Sequence, residues 1–459
     1  MTRPSDESDW QVLPDVARRA QRYLDGVRER RVAPGPEALV GLREFDVPLQ
    51  DEPMSAEQVI EELDRIGAPA TMAIAGPRYF GFVNGATLPA ALAVNWLSTA
   101  WDQHGAFFVN SPPGTTLERI ALRWTTELLG LPAESVGGFV TGTTVGHLTA
   151  LAAARHAVLA QAGRDVEADG LFGAPPITVI THAETHSALF KALGIVGLGR
   201  NRVVTVPVDS QGRMRADALP AIAGPTIVCL QAGNVNTGAF DPFTEIIERV
   251  RASGAPAWVH VDGAFGLWAR VAPARAHLTA GVELADSWAT DGHKWLNVPY
   301  DCGIAIVRDG QALRKAMAIR ADYLPDDEGQ PSDYTPEMSR RPRGIDVWAA
   351  LRALGRHGLT EMVERHCRLA CRFADAFRRA GFAVLNDVVL NQVLVSFGEP
   401  ARTRAVIDAI QQEGTCWAGG TVWQGQTAMR LSVISWATTE ADVDRSIAAI
   451  LRAAVSGER

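Results

Sequence analysis

Seven short, β-branched runs separated by helical stretches constrain this chain more than any other feature. They are "GGFVTG" (137–142), "PITVIT" (176–181), "NRVVTVPV" (201–208), "PTIVCL" (225–230), "AWVHV" (257–261), "DSWAT" (286–290) and "GIAIV" (303–307). A strand with one face in water alternates apolar and polar residues, whereas these runs are mostly uninterrupted. They read as strands buried on both faces, covered by the helices between them. The pattern predicts an α/β fold built on a seven-stranded, mostly parallel sheet. At 459 residues the chain is too long for a single core. Residues 322–344, "DYLPDDEGQPSDYTPEMSRRPRG", hold four prolines and six acids and predict a long loop. Beyond it, helices alternate with "NQVLVSF" (391–397) and "AMRLSVISW" (428–436), which predicts a smaller C-terminal α/β domain. The last helix is expected to start after Thr439, a threonine N-cap with acids in the first turn.

The N-terminal segment differs. Leu13, Val16, Ala17, Ala20, Tyr23, Leu24 and Val27 recur at helical spacing over residues 10–31, so an amphipathic helix there must cover something. Residues 31–55 are rich in proline and acid and read as an extended arm. The expected division is an N-terminal helical arm (1–75), a large domain (76–345) that includes the loop 322–344, and a small domain (346–459). No partner for the arm helix is evident in its own chain, so a homodimer is expected to bury its apolar stripe.

Composition removes several function classes. A net charge of -8 offers no general attraction to nucleic acid or an anionic membrane. The start "MTRPSDESDW" is polar and acidic, unlike a signal peptide, and no apolar run reaches membrane-spanning length. The five cysteines are scattered and odd in number, as expected of thiols in a reducing cytosol, and no cysteine–histidine spacing suits zinc. A cytoplasmic enzyme acting on a small molecule is the expectation.

In open parallel sheets, ligands gather at the carboxyl ends of the strands. Those ends carry the turn "TGTTVG" (141–146), His186, Asp262 and Lys294. In the turn, Gly142, Thr143 and Thr144 open a helix whose free amides and hydroxyls suit a phosphate, although such turns also serve as plain connections. Asp262 either caps a helix or holds a heterocycle nitrogen protonated; at contact distance such a pair gains about 5 kcal/mol before desolvation. Lys294 stands between two sheet segments beside His293, Trp295 and Leu296, where desolvation would make it an amine nucleophile. His186 offers a flat imidazole for stacking. A phosphate cradle, a carboxylate for a ring nitrogen and an amine for an aldehyde together describe pyridoxal 5'-phosphate, bound to Lys294 as a Schiff base.

The chain resembles the group II pyridoxal-phosphate-dependent decarboxylases, which include the aromatic amino acid and glutamate decarboxylases. The likeness is carried by "GPRYFGFVNG" (76–85), "NSPPGTTLERIALRWTTELLGLP" (110–132), "THAETHSALFKALGIVG" (181–197), "HVDGAFGLWA" (260–269) and "DGHKW" (291–295). It implies an aspartate aminotransferase-type fold and a homodimer with active sites at the interface. It also implies that His186 stacks on the cofactor ring, Ala264 packs on its other face, Asp262 meets the ring nitrogen and His293 completes the lysine motif. Arg430 resembles a small-domain arginine that binds α-carboxylates. Phe82 and Asn84 are expected to line the substrate pocket, with Val83, Phe107 and Phe108 nearby. A loop tyrosine, Tyr334 or else Tyr323, or His186 is expected to return the proton to the α-carbon. In place of Asn-Pro-His-Lys this chain has Asp291-Gly292-His293-Lys294, a version similar to that of the sphingosine-phosphate lyases. Decarboxylation of an L-amino acid to amine and CO2 is the expected reaction. The alternatives are a retro-aldol C–C lyase, an oxidative deaminase, or an inactive binding paralogue.

Overall fold

The computed structural model describes residues 9–325 and 329–456. It opens with α1 (Val12–Gly26), α2 (Pro36–Gly41) and α3 (Ala56–Ala70), followed by α4 (Pro89–Trp101) and α5 (Pro112–Leu128). Residues 31–55, expected to be extended, therefore hold α2 and a 3-10 turn at Leu42–Phe45. The arm helix also finds partners in its own chain. Arg19 pairs with Asp64 of α3 at 2.9 Å, and Tyr23 bonds Thr71. Past α1, Val27 and Val32 are buried, and Val32 N–H donates to the Gly414 carbonyl. The signal for α3 was present in the sequence: Ser55 and Gln58 form a capping box.

The large sheet contains β1 (Val136–Val140), β2 (Thr178–His182), β3 (Val204–Val206), β4 (Thr226–Gln231), β5 (Ala257–Asp262), β6 (Ser287–Asp291) and β7 (Gly303–Val307). Their order is β1-β7-β6-β5-β4-β2-β3, and only β7 opposes its neighbours. Between the strands lie α6 (Thr143–Gln161), α7 (Val166–Asp169), α8 (Ser187–Ile195) and α9 (Phe243–Ala252). Helix α6 is buried on most of its circumference, as its alanine-rich, largely apolar sequence requires. Because β7 runs backwards, its first residue, Gly303, lies beside both Val140 and Asp291. A Cβ at Gly303 would fall 2.5 Å from the Gly142 backbone, so only glycine lets β7 pass under the turn that opens α6.

After β7 come α10 (Gly310–Met317) and the 36-residue α11 (Gly344–Arg379), which breaks at Gly355. Up to Cys367, α11 packs in the core of the large sheet; from Leu369 it packs in the second core. That core rests on an antiparallel sheet of β8 (Ala383–Val384), β9 (Gln392–Ser396), β10 (Gly419–Trp423) and β11 (Gln426–Ser432). Helices α12 (Pro400–Glu413) and α13 (Glu440–Ser456) cover it. Thr439 caps α13, its Oγ1 accepting from Asp442 N–H.

The segment 322–344 is a loop, as expected, with one 3-10 turn at Pro331–Asp333; its residues 326–328 lie outside the described residues. From 329 onward it is tied down by buried polar groups. Asp333 accepts from Gly329 N–H and pairs with Arg320. Arg340 grips Glu118 of α5 with two bonds of 2.8 Å, both side chains being buried. Apolar area is scarce here, and charge-assisted bonds supply the order instead.

Candidate active site

The carboxyl ends of β1, β4, β5 and β6 border one cleft, a cavity of about 280 Å³. It gathers Asn84, Gly142, Thr143, Thr144, His186, Asp262, Ala264, His293 and Lys294, nearly the whole expected set. A larger cavity, about 1020 Å³, lies between α5, β1 and residues 329–334, lined among others by Phe108, Glu118, Arg119 and Tyr334. It has no converging strand-end groups, and its Glu118 is already spent on Arg340. The chemistry belongs to the smaller cleft.

Asp262 ends β5 and accepts from Ala264 N–H at 3.1 Å. Burial pushes its carboxyl upward, but His147, His186 and Lys294 pull harder, and the net result is well below the usual carboxylate range. His186 caps α8, its Nδ1 accepting from Ala188 N–H, so the single proton of the neutral ring sits on Nε2. Its ring is open to the cleft, and the surrounding protein mass, with Lys294 and His147, holds its pKa below the ordinary value against Asp262.

Lys294 corrects one expectation. It meets a carboxylate, not an apolar pocket: Nζ lies 3.0 Å from Asp291 Oδ2. The other oxygen of Asp291 accepts from Thr143 N–H at 2.7 Å. Asp291, whose role was open, thus joins the lysine to the turn that opens α6. Burial raises its carboxyl, while Lys294, His293 and Thr143 together bring it below the ordinary value. His293 Nδ1 accepts from Cys302 N–H, and its ring stacks on Tyr300 at 4.3 Å.

The turn carrying the lysine is held from several directions. Asn297, fully buried, adopts a left-handed backbone (φ 52), which asparagine tolerates better than most residues. Its amide donates to the carbonyls of Trp295 and Ile434, and its oxygen accepts from Ala86 and Trp436 N–H. Trp295 donates to His366 Nδ1 at 3.0 Å, and His366 Nε2 donates to the Ser435 carbonyl. Gly85 lies so close that a Cβ there would sit 2.1 Å from the Lys294 carbonyl oxygen.

Tyr334, Tyr323, Phe82 and Arg430, all expected at the site, lie outside this cleft lining. Tyr334 lines the larger cavity and packs on the apolar cluster around α6 and α10; Tyr323 is 83% exposed. Phe82 is 60% exposed and stacks on Trp417, which in turn stacks on Tyr79. Arg430 bonds the carbonyls of Phe82 and Val235 and the Asn236 side chain at 3.3–3.4 Å. Among the described residues it has no acidic partner, and burial lowers its pKa. Sequence reasoning missed His147 and Tyr300, both of which line the cleft.

The cleft fits pyridoxal phosphate. Thr143 Oγ1 is buried without a hydrogen-bond partner at the start of α6, where a phosphate oxygen would satisfy it. The pairing of Asp262 with Lys294 across neighbouring strand ends supplies the other two requirements, a ring-nitrogen partner and an amine.

Comparison with known proteins agrees. Residues 36–398 match the pyridoxal-dependent decarboxylase conserved domain. Tryptophan decarboxylase 1 of Oryza sativa subsp. japonica is 29% identical over 417 residues, covering 82% of this chain and 79% of its own. The L-2,4-diaminobutyrate decarboxylase of Rhizobium meliloti (strain 1021) is 28% identical over 436 residues, covering 89% and 85%. The crystal structure of Oryza sativa TDC with PLP and tryptamine shares the fold, with a TM-score of 0.90, 23% identity and 99% of each chain covered. A lysine and an aspartate at neighbouring strand ends, an unsatisfied phosphate cradle and a domain match over most of the length have one common explanation: the chain belongs to the pyridoxal-dependent decarboxylases, enzymes that use pyridoxal 5'-phosphate to remove the carboxyl group of an amino acid.

Proposed function

We propose that the substrate is an amino acid with an aromatic side chain. The observation that carries this is the stack Tyr79–Trp417–Phe82 beside the cleft, with ring centroids 5.0 and 5.7 Å apart. Tyr79 lies near enough to Tyr300 to contribute to its raised pKa, so the stack adjoins the cleft mouth. Stacked rings reward a flat apolar side chain. Relatives named as tryptophan and tyrosine decarboxylases support the same reading.

Pyridoxal phosphate supplies the electron sink when bound. In this proposal Thr143, Thr144 and the first amides of α6 hold its phosphate, while His186 and Ala264 flank its ring. Asp262 would keep the ring nitrogen protonated, and Lys294 would provide the amine that anchors the cofactor. Arg430, whose partners among the described residues are neutral oxygens, receives the substrate carboxylate with Asn84 beside it. His186 holds a proton on Nε2 over the cleft.

We further propose a homodimer, with the arm 1–75 joining a large domain (76–345) and a small domain (346–459). Helix α4 supports it, exposing Trp96, Leu97 and Trp101. Phe108 and Tyr334, which share one surface cavity away from their own cleft, then serve the partner's cleft. The five free thiols suit a cytoplasmic location. The test of substrate is CO2 release from tryptophan, tyrosine, phenylalanine, 2,4-diaminobutyrate and glutamate. The aromatic three are expected to be turned over fastest, with Phe82→Ala weakening them; preference for glutamate or 2,4-diaminobutyrate rejects the reading. For assembly, Leu97→Glu with Trp101→Glu is expected to give inactive monomers by sedimentation.

A further inference from the structure

A row of buried side chains leads from Asp262 into the core of the sheet. His147 Nε2 lies 3.5 Å from Asp262 Oδ2 and has no closer partner. His147 Nδ1 lies 2.8 Å from His260 Nε2. His260 Nδ1 lies 2.9 Å from Ser287 Oγ, and Trp258 Nε1 donates to that same oxygen at 2.8 Å. His147, His260 and Ser287 have no solvent exposure at all. Helix α6, strand β5 and strand β6 each contribute to the row.

The chemistry of the two ends sets the direction of the protons between them. An indole N–H only donates, and a carboxylate only accepts. With one lone pair of Ser287 Oγ accepting the indole N–H bond, its own O–H is free to donate to His260 Nδ1. His260 then presents Nε2–H to His147 Nδ1, and His147 presents Nε2–H to Asp262. Each imidazole then carries one proton, and His147 turns its Nε2–H toward Asp262 Oδ2 across 3.5 Å, a contact longer than the bonds in the rest of the row. The reverse order turns a lone pair of His147 against a buried carboxylate, which is costly where no water can intervene. Burial, and then His147, hold the pKa of His260 down to about 3, so that ring carries a single proton.

We propose that His147 and His260 are positioning residues that deliver an N–H to Asp262 and thereby keep its carboxylate ionised toward the ring nitrogen of the cofactor. This rests on the reading of Asp262 as the ring-nitrogen partner. A buried carboxylate without a donor takes up a proton, and the ring would lose the counter-charge that keeps its own. Five titratable groups lie around Asp262: His147 from α6, His186 at the start of α8, Lys294 after β6, Cys229 from β4 and His260 on its own strand. Of these, His147 is the one paired with Asp262 and, through His260, joined to further buried donors.

The experiment uses pyridoxal phosphate labelled with ¹⁵N in the ring, bound to the full-length protein, and follows the ring nitrogen by NMR as pH is raised. In the wild type the nitrogen is expected to stay protonated throughout the range in which the protein is folded. His147→Leu is expected to lower the deprotonation midpoint by a unit or more, about tenfold in proton affinity. His147→Gln, with an amide N–H for Asp262 and a carbonyl for His260, is expected to restore it. Asp262→Ala separates the two readings. If Asp262→Ala leaves the ring nitrogen protonated as in wild type, the role of Asp262 itself is wrong. If Asp262→Ala removes the proton and His147→Leu does not, the positioning proposal is overturned. Should His147→Leu fail to fold, ring-¹⁵N histidine spectra of the unsubstituted holoenzyme decide. A proton on Nε2 of both His147 and His260 supports the proposal, and one on Nδ1 of His147 overturns it.

Discussion

Lys294 and Asp291 form an ion pair at 3.0 Å, so the amine that must attack an aldehyde starts as the partner of an acid. Lys294→Ala is expected to abolish turnover and the absorbance band of lysine-linked cofactor while circular dichroism stays native; retained near-full activity would rule out its role. Tyr334→Phe is expected to leave pyridoxal phosphate affinity unchanged and to slow amine formation, with aldehyde rising as a side product. Product ratios decide it: a wild-type amine yield from Tyr334→Phe together with a fall in Tyr323→Phe moves the proton donor to Tyr323. The residues legible in the sequence were those whose type and strand-end position coincide. Asp262 closes an apolar run and Lys294 interrupts two. His147 had a weaker signal, its spacing of four from Thr143, which puts both on one side of α6. Nothing in a largely apolar helix marks which histidine turns inward to a carboxylate. Tyr300 reaches the cleft through turn geometry, which periodicity does not encode.

Among the elements, α5 shows how a polar segment is held in place. Glu118 takes both guanidinium nitrogens of Arg340 at 2.8 Å and the Gly344 N–H at 3.2 Å. Breaking a buried pair strands one charge, at a cost of about 3–5 kcal/mol. Glu118→Ala is therefore expected to lower unfolding stability by that order in urea titrations, and the double change Glu118→Leu with Arg340→Leu to lower it less. If the single variant matched wild type, residues 329–343 would be held by something else. The inner strands of the large sheet were readable because burial on both faces leaves uninterrupted apolar runs, whereas β3, an edge strand with Val204 and Thr205 exposed, was readable only by its β-branched residues. In the small sheet, β9 and β11 were readable for the same reason. Strand β8 has two residues, and β10 is an edge strand containing two glycines, so neither carries a pattern. The segment 322–344 was readable as a loop, but its anchors were not, because they are ion pairs to distant residues, which leave no periodic trace.

On the scale of the whole molecule, two neutral histidines sit in the core. Burial first, then His147 beside His260 and Arg365 beside His366, depress the two to about 3 in the folded state. Unfolded, each would titrate near 6.5. Their contribution is complete above the unfolded value and is lost as pH falls from there toward the folded one. Each adds up to about 1.4 kcal/mol of lost stability per pH unit in that window. Denaturant midpoints at pH 7, 6 and 5 are expected to fall steadily, and His366→Asn to flatten the slope; an unchanged slope removes His366 from the account. The same histidine belongs to the clasp that joins the lysine turn to the far end of the chain. Asn297 is completed by Ile434 and Trp436, and Trp295 by His366, which is itself fixed by Ser435. The lysine loop is therefore finished by residues the ribosome makes more than a hundred positions later. During biosynthesis, a nascent chain with its large sheet already formed still lacks the frame for its reactive amine. Cofactor capture is then expected to wait until residues 434–436 have been made and packed against that turn.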